Sequence, residues 1–317
     1  MHPDPNVPII KLNTGHDIPA IGLGCWMGNV GGGEQAYEMV KLALTIGYRH
    51  FDTASRYGNE EGVGRAIRES GIPRSEIFVT TKLVDWDHDD PKRGLDGGVR
   101  QPDESPTFVE TWLAMEKLLE TGKVNNIGIS NFSIKNLTKL LEKANVIPVV
   151  NQVELHPCYP QNELIEFCQS KGIYPTAYCP LGQYNSPFFS DPVFIQAAER
   201  LGEELSREIT PSQLVLSWAV QRGTIVIPKS SNENRLRQNL DIITLPKSIF
   251  EIVDNYHESP GMHKTLDAYT LRNPGTVGGW TYEQMGWNLD NDAAYTGAKR
   301  GHGLHLRLLA LEAPNLV

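Results

Sequence analysis

The sequence predicts an α/β barrel, a parallel sheet closed on itself and ringed by helices. Two observations carry the prediction. Short β-branched or apolar stretches such as IFVTTKL alternate with longer stretches whose apolar residues fall at helical spacing, and the alternation runs from about residue 21 to 240. The competing fold, an open dinucleotide-binding sheet, lacks its fingerprint. Gly22-Leu23-Gly24 and Gly31-Gly32-Gly33 have neither the G-x-G-x-x-G spacing nor the helix-entry placement. A chain of 317 residues is within the range of one such barrel.

The elements follow in order. KLNTGHDIPA reads as a small hairpin turning at Thr14-Gly15. Residues 21–26 form the first predicted strand. A helix over 34–46 follows, with Met39, Val40, Leu42, Ala43 and Ile46 at helical spacing. A strand over 50–54 leads to a helix over 59–69, ended by Gly71-Ile72-Pro73. The strand at 77–83 ends with Lys82 and runs into an acidic, Pro- and Gly-bearing loop, with no helix behind it. The next helix spans 108–119 and stops at Thr121-Gly122; a strand at 126–130 precedes a helix at 134–143 with Ser133 as its cap. A strand at 149–155 pairs with a helix at 163–170, closed by Lys171-Gly172. The strand at 174–181 precedes helices near 193–205 and 211–221, and the last unit is a strand at 224–228 with a helix at 233–240. The count is seven strands, whereas a barrel of this kind closes with eight.

Composition bounds the function. Forty per cent apolar and 21% charged residues are ordinary for a globular protein, and a net charge of −9 disfavours nucleic acid or an anionic membrane as the main partner. The expected partner is a small molecule, with no obligate protein partner. Cys25, Cys158, Cys168 and Cys179 show no paired spacing, so no metal site is expected and the thiols read as reduced packing residues. MHPDPNVPII has no basic stretch followed by an apolar one, and no run of 18 apolar residues occurs; the expected location is the cytoplasm.

Catalytic residues of a barrel sit where strands end and loops begin. Those positions hold Asp52 with Tyr57 in the following turn, Lys82, Ser130 with Asn131, Gln152, Tyr178, and a final group of Lys229, Ser230, Asn232 and Arg235 around a helix start. Each has a plain structural alternative. Asp52 and Lys82 could be an ion pair filling the barrel mouth, Tyr57 a packing tyrosine, Ser130-Asn131 a helix start, and Lys229 with Arg235 a solvated face. What favours a site is convergence of polar groups on one rim while the rest of each strand is apolar. The chemistry that fits is hydride transfer to a carbonyl, which needs an acid for the developing alkoxide. A phenol, with a pKa near 10, serves only if a nearby cation makes its phenolate less costly, and a lysine held by an aspartate supplies that field. Ser, Asn and Gln side chains can fix a carboxamide, an aromatic ring can stack on a flat heterocycle, and basic residues at a helix N-terminus suit a phosphate.

These stretches resemble the aldo-keto reductase superfamily, most closely its fungal xylose-reductase-like and glycerol-dehydrogenase-like members. The resemblance is carried by GHDIPAIGLGCW, GYRHFDTASRYGNEEGVGRAI, IFVTTKL, TWLAMEKLLETGKV, IGISNFS, NQVELHP, AYCPLG and IPKSSNENRLRQN, between about residues 10 and 260. It implies a TIM-type (β/α)8 barrel with an N-terminal β-hairpin, binding NADP(H) without a Rossmann fold and reducing aldehydes or ketones. It implies Tyr57 as proton donor and Asp52 with Lys82 as its activating pair. Ser130, Asn131 and Gln152 are the implied nicotinamide contacts, with Tyr178 stacked on the ring, and Trp26, Asp52 and Leu181 are further implied cofactor contacts; Lys229, Ser230, Asn232, Arg235 and Asn239 match the adenosine phosphate site. Lys and Arg together there favour NADP over NAD.

The chain departs from the family in one place. The family's fourth strand ends in a His-Trp-Pro segment whose histidine orients the substrate carbonyl. Here Leu83 passes directly into VDWDHDDPKRGLDGGVRQPDESP, so the third helix and fourth strand, roughly thirty residues, are missing, and His88 is the only nearby histidine. The barrel domain is expected over 1–285 and a divergent tail over 286–317. The strands ending at Lys82 and Ser130 are expected not to pair fully, with loop 84–107 over the breach. Three readings stay open: an NADP-dependent reductase with impaired activity, a non-catalytic NADP-binding barrel acting as a redox sensor or accessory protein, and the product of a faulty reading of the gene.

Overall fold

The computed structural model describes residues 7–83, 101–183, 186–272, 275–277, 280–287, 289 and 307–311. The chain opens with an antiparallel hairpin, β1 (Ile9–Lys11) and β2 (Asp17–Pro19), paired Ile10 to Ile18. Then come β3 (Leu23–Gly24), α1 (Gly33–Ile46), β4 (His50–Asp52), α2 (Glu60–Glu69) and β5 (Phe78–Lys82). After them lie α3 (Phe108–Glu116), β6 (Asn126–Ser130), α4 (Ile134–Leu141), β7 (Val150–Glu154), α5 (Asn162–Ser170) and β8 (Tyr174–Tyr178). The remaining elements are α6 (Pro192–Leu205), α7 (Pro211–Gln221), β9 (Ile225–Val226), α8 (Glu233–Leu240), α9 (Lys247–Asp254), α10 (Ala268–Arg272), β10 (Thr276–Val277), β11 (Trp280–Thr281), α11 (Tyr282–Met285) and β12 (Arg307–Leu311).

Local chemistry explains many of the boundaries. Thr107 and Glu110 form a reciprocal capping box that starts α3, Thr210 and Gln213 do the same for α7, and the Ser133 hydroxyl accepts from Asn136 N at the start of α4. Pro sits in the first turn of α6 and α7, where its missing N–H costs nothing. Helices α1 to α9 all bury apolar residues in one large core, which holds Phe51, Tyr48, Trp112, Phe132 and Trp218 away from solvent. Apart from 126–130, which matches β6, the predicted strands are longer than the observed ones; of residues 21–26, for example, only Leu23–Gly24 form a strand. The helix α9 was not predicted.

Among the described residues the main sheet has eight strands in the order β3-β4-β5-β12-β6-β7-β8-β9. Every neighbouring pair is parallel except the two that β12 makes. The first and last strands are joined by a parallel bridge from Ile21 to Val226 and by Gly22 N–H donating to Val226 O at 2.8 Å and Gly24 N–H to Pro228 O at 3.0 Å. The architecture is the TIM-type α/β barrel that the sequence predicts, with the N-terminal hairpin beside it.

The predicted count of seven strands needs correction. β12, from the segment expected as a divergent tail, lies antiparallel between β5 and β6, with Leu309 opposite Lys82 and Leu311 opposite Thr80 on one side. On the other side Arg307 faces Ser130 and Leu311 faces Asn126. As expected, β5 and β6 do not pair with each other. What separates them is a strand that supplies backbone donors and acceptors to both edges, which two open strand edges would otherwise lack. Between Lys82 and Phe108 the described residues contain no helix or strand; residues 84–100, with His88 and most of the loop expected to cover the breach, lie outside them. No helix among the described residues is long and apolar enough to cross a membrane.

Candidate active site

The rim at the C-terminal ends of the parallel strands gathers the predicted residues. Asp52 closes β4 and Lys82 closes β5, two adjacent strands in register, so both side chains enter the barrel mouth; each is only 2% exposed. The Lys82 ammonium donates to Asp52 Oδ1 and, at 2.9 Å, to the carbonyl of Thr53. The other Asp52 oxygen accepts from Gln152 Nε2 at 2.7 Å, although Gln152 is on β7 across the barrel. Asp52 is thus fixed from two directions, and Lys82 is held by a full charge and a carbonyl. A buried charge needs such pairing.

Tyr57 lies in the single turn after β4, half-buried, with the Lys82 ammonium 5.3 Å from its ring centroid. The Trp26 ring sits 5.0 Å from that of Tyr57, tilted by 51°, and is 39% exposed, so the phenol lies between a buried cation and an aromatic wall at the surface. The Ser55 hydroxyl donates to Lys82 O at 3.1 Å and ties the turn carrying the phenol to the strand carrying the lysine.

On the opposite side, Ser130 Oγ donates to Gln152 O at 2.8 Å and Asn131 N–H to the same carbonyl at 2.9 Å, so β6 and β7 present Ser130, Asn131 and Gln152 as one buried polar patch. Asn131 takes a left-handed backbone, φ 65°, a conformation that asparagine tolerates better than most side chains. Tyr178 ends β8 and Leu181 follows it, both half-buried.

The last predicted group surrounds the start of α8. Asn232 caps the helix by accepting from Arg235 N at 3.1 Å, and Ser230 Oγ accepts from Asn232 N at 3.1 Å. Asn239 is buried on the same helix. Lys229 and Arg235 are exposed and, among the described residues, form no ion pair, so two cations stand free beside a helix N-terminus. That donor set is chemically right for a dianionic phosphate next to a ribose. With a polar amide patch and an aromatic ring on the rim beyond it, the residues present fit a phosphorylated nicotinamide dinucleotide.

Two features escaped sequence reasoning. His50, on β4, is buried against Phe78, and burial pushes its imidazole down to about 4. Glu154, at the end of β7, stands out in the sequence only as part of NQVELHP. Three of its four partners come from residues 265–267, and no local pattern joins them to it.

A sequence profile of the Aldo/keto reductase family matches residues 20–101 and 86–258. The glycerol 2-dehydrogenase (NADP(+)) of Saccharomyces cerevisiae is 40% identical over 300 residues, covering 81% of this chain and 93% of its own. An aldehyde reductase of the same yeast is 38% identical with the same coverage, and the D-galacturonate reductase of Hypocrea jecorina is 37% identical over 82% of this chain and 93% of its own. An aldo/keto reductase of Brucella melitensis superposes with a TM-score of 0.67 at 37% identity, over 79% of this chain and 99% of its own.

Proposed function

Because the chain belongs to the aldo/keto reductase family, we propose that it reduces aldehydes or ketones to alcohols, with NADPH as reductant and Tyr57 as proton donor. The observation that carries the reading is the buried Lys82–Asp52 pair, with its ammonium 5.3 Å from the Tyr57 ring centroid. When bound, the cofactor supplies the hydride. The protein's own residues do the rest. As negative charge develops on the carbonyl oxygen, the Tyr57 hydroxyl gives up its proton, and the nearby ammonium favours the phenolate left behind. Asp52 and the Thr53 carbonyl keep that ammonium in place, and Gln152 keeps the aspartate in place. Ser130, Asn131 and Gln152 would hold a carboxamide and Tyr178 a flat ring. Lys229 and Arg235 would hold the phosphate, the contact that separates NADPH from NADH.

A second reading has its own support. The strand between β5 and β6 reads RLLAL and carries no histidine, so the family's substrate-orienting residue has no replacement there. A barrel that binds NADPH without turning over carbonyls would fit that departure. One experiment separates the two. The wild-type chain and Tyr57→Phe are assayed on a simple aldehyde, with NADPH and NADH titrated by fluorescence. The reductase reading expects measurable wild-type turnover, tighter NADPH than NADH, and a kcat reduced by at least about a hundredfold in the variant with KM little changed. Undiminished kcat in Tyr57→Phe removes the proton-donor assignment; NADPH binding with no turnover establishes the second reading.

A further inference from the structure

Glu154 ends β7 two residues beyond Gln152, so both side chains are on the barrel side of the strand, and Glu154 is 2% exposed at the rim. Buried carboxylates are costly unless several donors satisfy them. Here four do, and three of them come from one distant segment. Oε1 accepts from Leu266 N at 2.7 Å and Asp267 N at 2.9 Å, and Oε2 from Thr265 Oγ1 at 2.6 Å. The fourth is His156 Nε2, 2.8 Å from Oε1, and its other ring nitrogen is buried without a partner among the described residues.

The segment that Glu154 holds is itself tied to the next rim loop. Gln183, which follows Tyr178 and Leu181 on that loop, donates to Asp267 Oδ1 at 3.0 Å and accepts from Ala268 N at 3.1 Å. Asp267 Oδ2 accepts from Thr270 N at 2.9 Å and starts α10. Leu266 packs against the same loop: a Cβ placed on Gly182 would lie 2.9 Å from Leu266 Cδ1. Farther along, Met285 O accepts from Ser133 Oγ at 2.6 Å, beyond Ser130 and Asn131. The C-terminal segment is therefore fastened at β7, at the loop after β8 and at the start of α4, three points around one rim.

We infer that Glu154 is a positioning residue, the latch that holds residues 265–270 as a strap against the rim loop carrying Tyr178 and Leu181, and so sets how readily the cofactor leaves and the substrate enters. Its effect on binding and turnover rests on the proposed reductase reading; the latch itself does not. Two of the strap's three bonds to the Glu154 carboxylate come from backbone N–H groups, and the third comes from the Thr265 hydroxyl.

The test uses the full-length protein. In Glu154→Ala the amides of Leu266 and Asp267, protected in the wild type, should exchange at least about tenfold faster. The NADPH dissociation rate and the KM for an aldehyde should rise about three- to tenfold, while kcat is not lowered more than about twofold. Glu154→Gln keeps the shape and one acceptor oxygen and should recover most of the loss. Thr265→Val removes the Oε2 donor and the hydroxyl that also accepts from Asp267 N at 3.1 Å, so the Leu266 amide is its cleaner exchange readout; it should shift the readouts in the same direction by less, and it serves where Glu154→Ala does not fold. Unchanged amide exchange with wild-type KM in Glu154→Ala, or in Thr265→Val where Glu154→Ala does not fold, overturns the proposal, as does a fall in kcat with KM and NADPH dissociation unaltered. If the wild type neither binds NADPH nor reduces aldehydes, the reductase reading has failed, and amide exchange at Leu266 and Asp267 alone decides whether Glu154 is the latch.

Discussion

Lys82 is buried beside Asp52 with almost no access to water. Replacing it by methionine keeps the stem and deletes the charge, which leaves Asp52 with Gln152 as its only side-chain hydrogen-bond partner among the described residues. Breaking a buried pair in this way costs about 3–5 kcal/mol, because one charge stays buried unpaired. Lys82→Met is therefore expected to melt well below the wild type, and adding Asp52→Asn should restore much of that stability. Turnover should not return in the double variant, since no cation is left beside the Tyr57 phenol. Stability and activity thus separate, and calorimetry with an aldehyde assay on the three variants checks it. A second residue-scale effect belongs to His50. Burial holds its imidazole neutral down to about 4 in the fold, against about 6.5 in an unfolded chain. Between those values the unfolded chain takes up a proton that the folded chain refuses, so stability falls as pH drops from 6.5 toward 4. The loss from this residue is up to about 3 kcal/mol. Urea midpoints should show a shallower decline over that range in His50→Gln than in the wild type.

Single elements are tuned by a few polar contacts. The short helix α11 is held to the start of α4 by Ser133 and Asn136 donating to Met285 O and by Lys135 donating to Glu283 O at 2.8 Å. The chain leaves α11 through Gly286 at φ 72°, where a Cβ would lie 2.5 Å from Ser133 Oγ. An alanine there meets both a left-handed backbone, costing about 1–2 kcal/mol, and a collision with the contact that docks the helix. Gly286→Ala should release α11 without unfolding the barrel, because the small cluster of Tyr282 and Met285 is separate from the main core. Faster proteolysis within 275–287 at a nearly unchanged melting temperature is the expected result; a large drop in the global transition would show that α11 is integral to the barrel.

For the whole molecule the decisive feature is the antiparallel strand β12. The other strands of the sheet follow the chain in order, each covered by helices, and β12 returns from the far end to pair with both β5 and β6. Those two strands carry Lys82 and Ser130 at their ends, so the spacing across this side of the rim depends on what lies between them. Deleting residues 302–317 should open two strand edges and leave their backbone groups unpaired, at about 1–3 kcal/mol for each group that stays buried. The shortened protein is expected to melt less cooperatively, to aggregate more readily through the open edges, and to lose NADPH affinity on the Ser130 side. A deletion variant with the wild-type melting curve would mean that β12 does not support the barrel.

The sequence by itself determined the barrel, most of its helices and the residues of the rim, because each rests on a local signal. Strand–helix periodicity reports which face is buried, Ser133 and Asn232 announce helix starts, and Asp52, Tyr57, Lys82, Ser130 and Asn131 stand at strand ends within motifs that resemble a family. Tertiary structure decided the rest. RLLAL is a short apolar run that reads equally well as a strand or as part of an appended tail, and its place depends on two strand edges more than 170 residues earlier in the chain. Glu154 looks like any acid at the end of a strand until Thr265, Leu266 and Asp267, over 110 residues later, bring it their donors. Periodicity and capping are set by neighbours a few residues apart, whereas the partner of an open strand edge or a buried carboxylate is chosen by the folded chain.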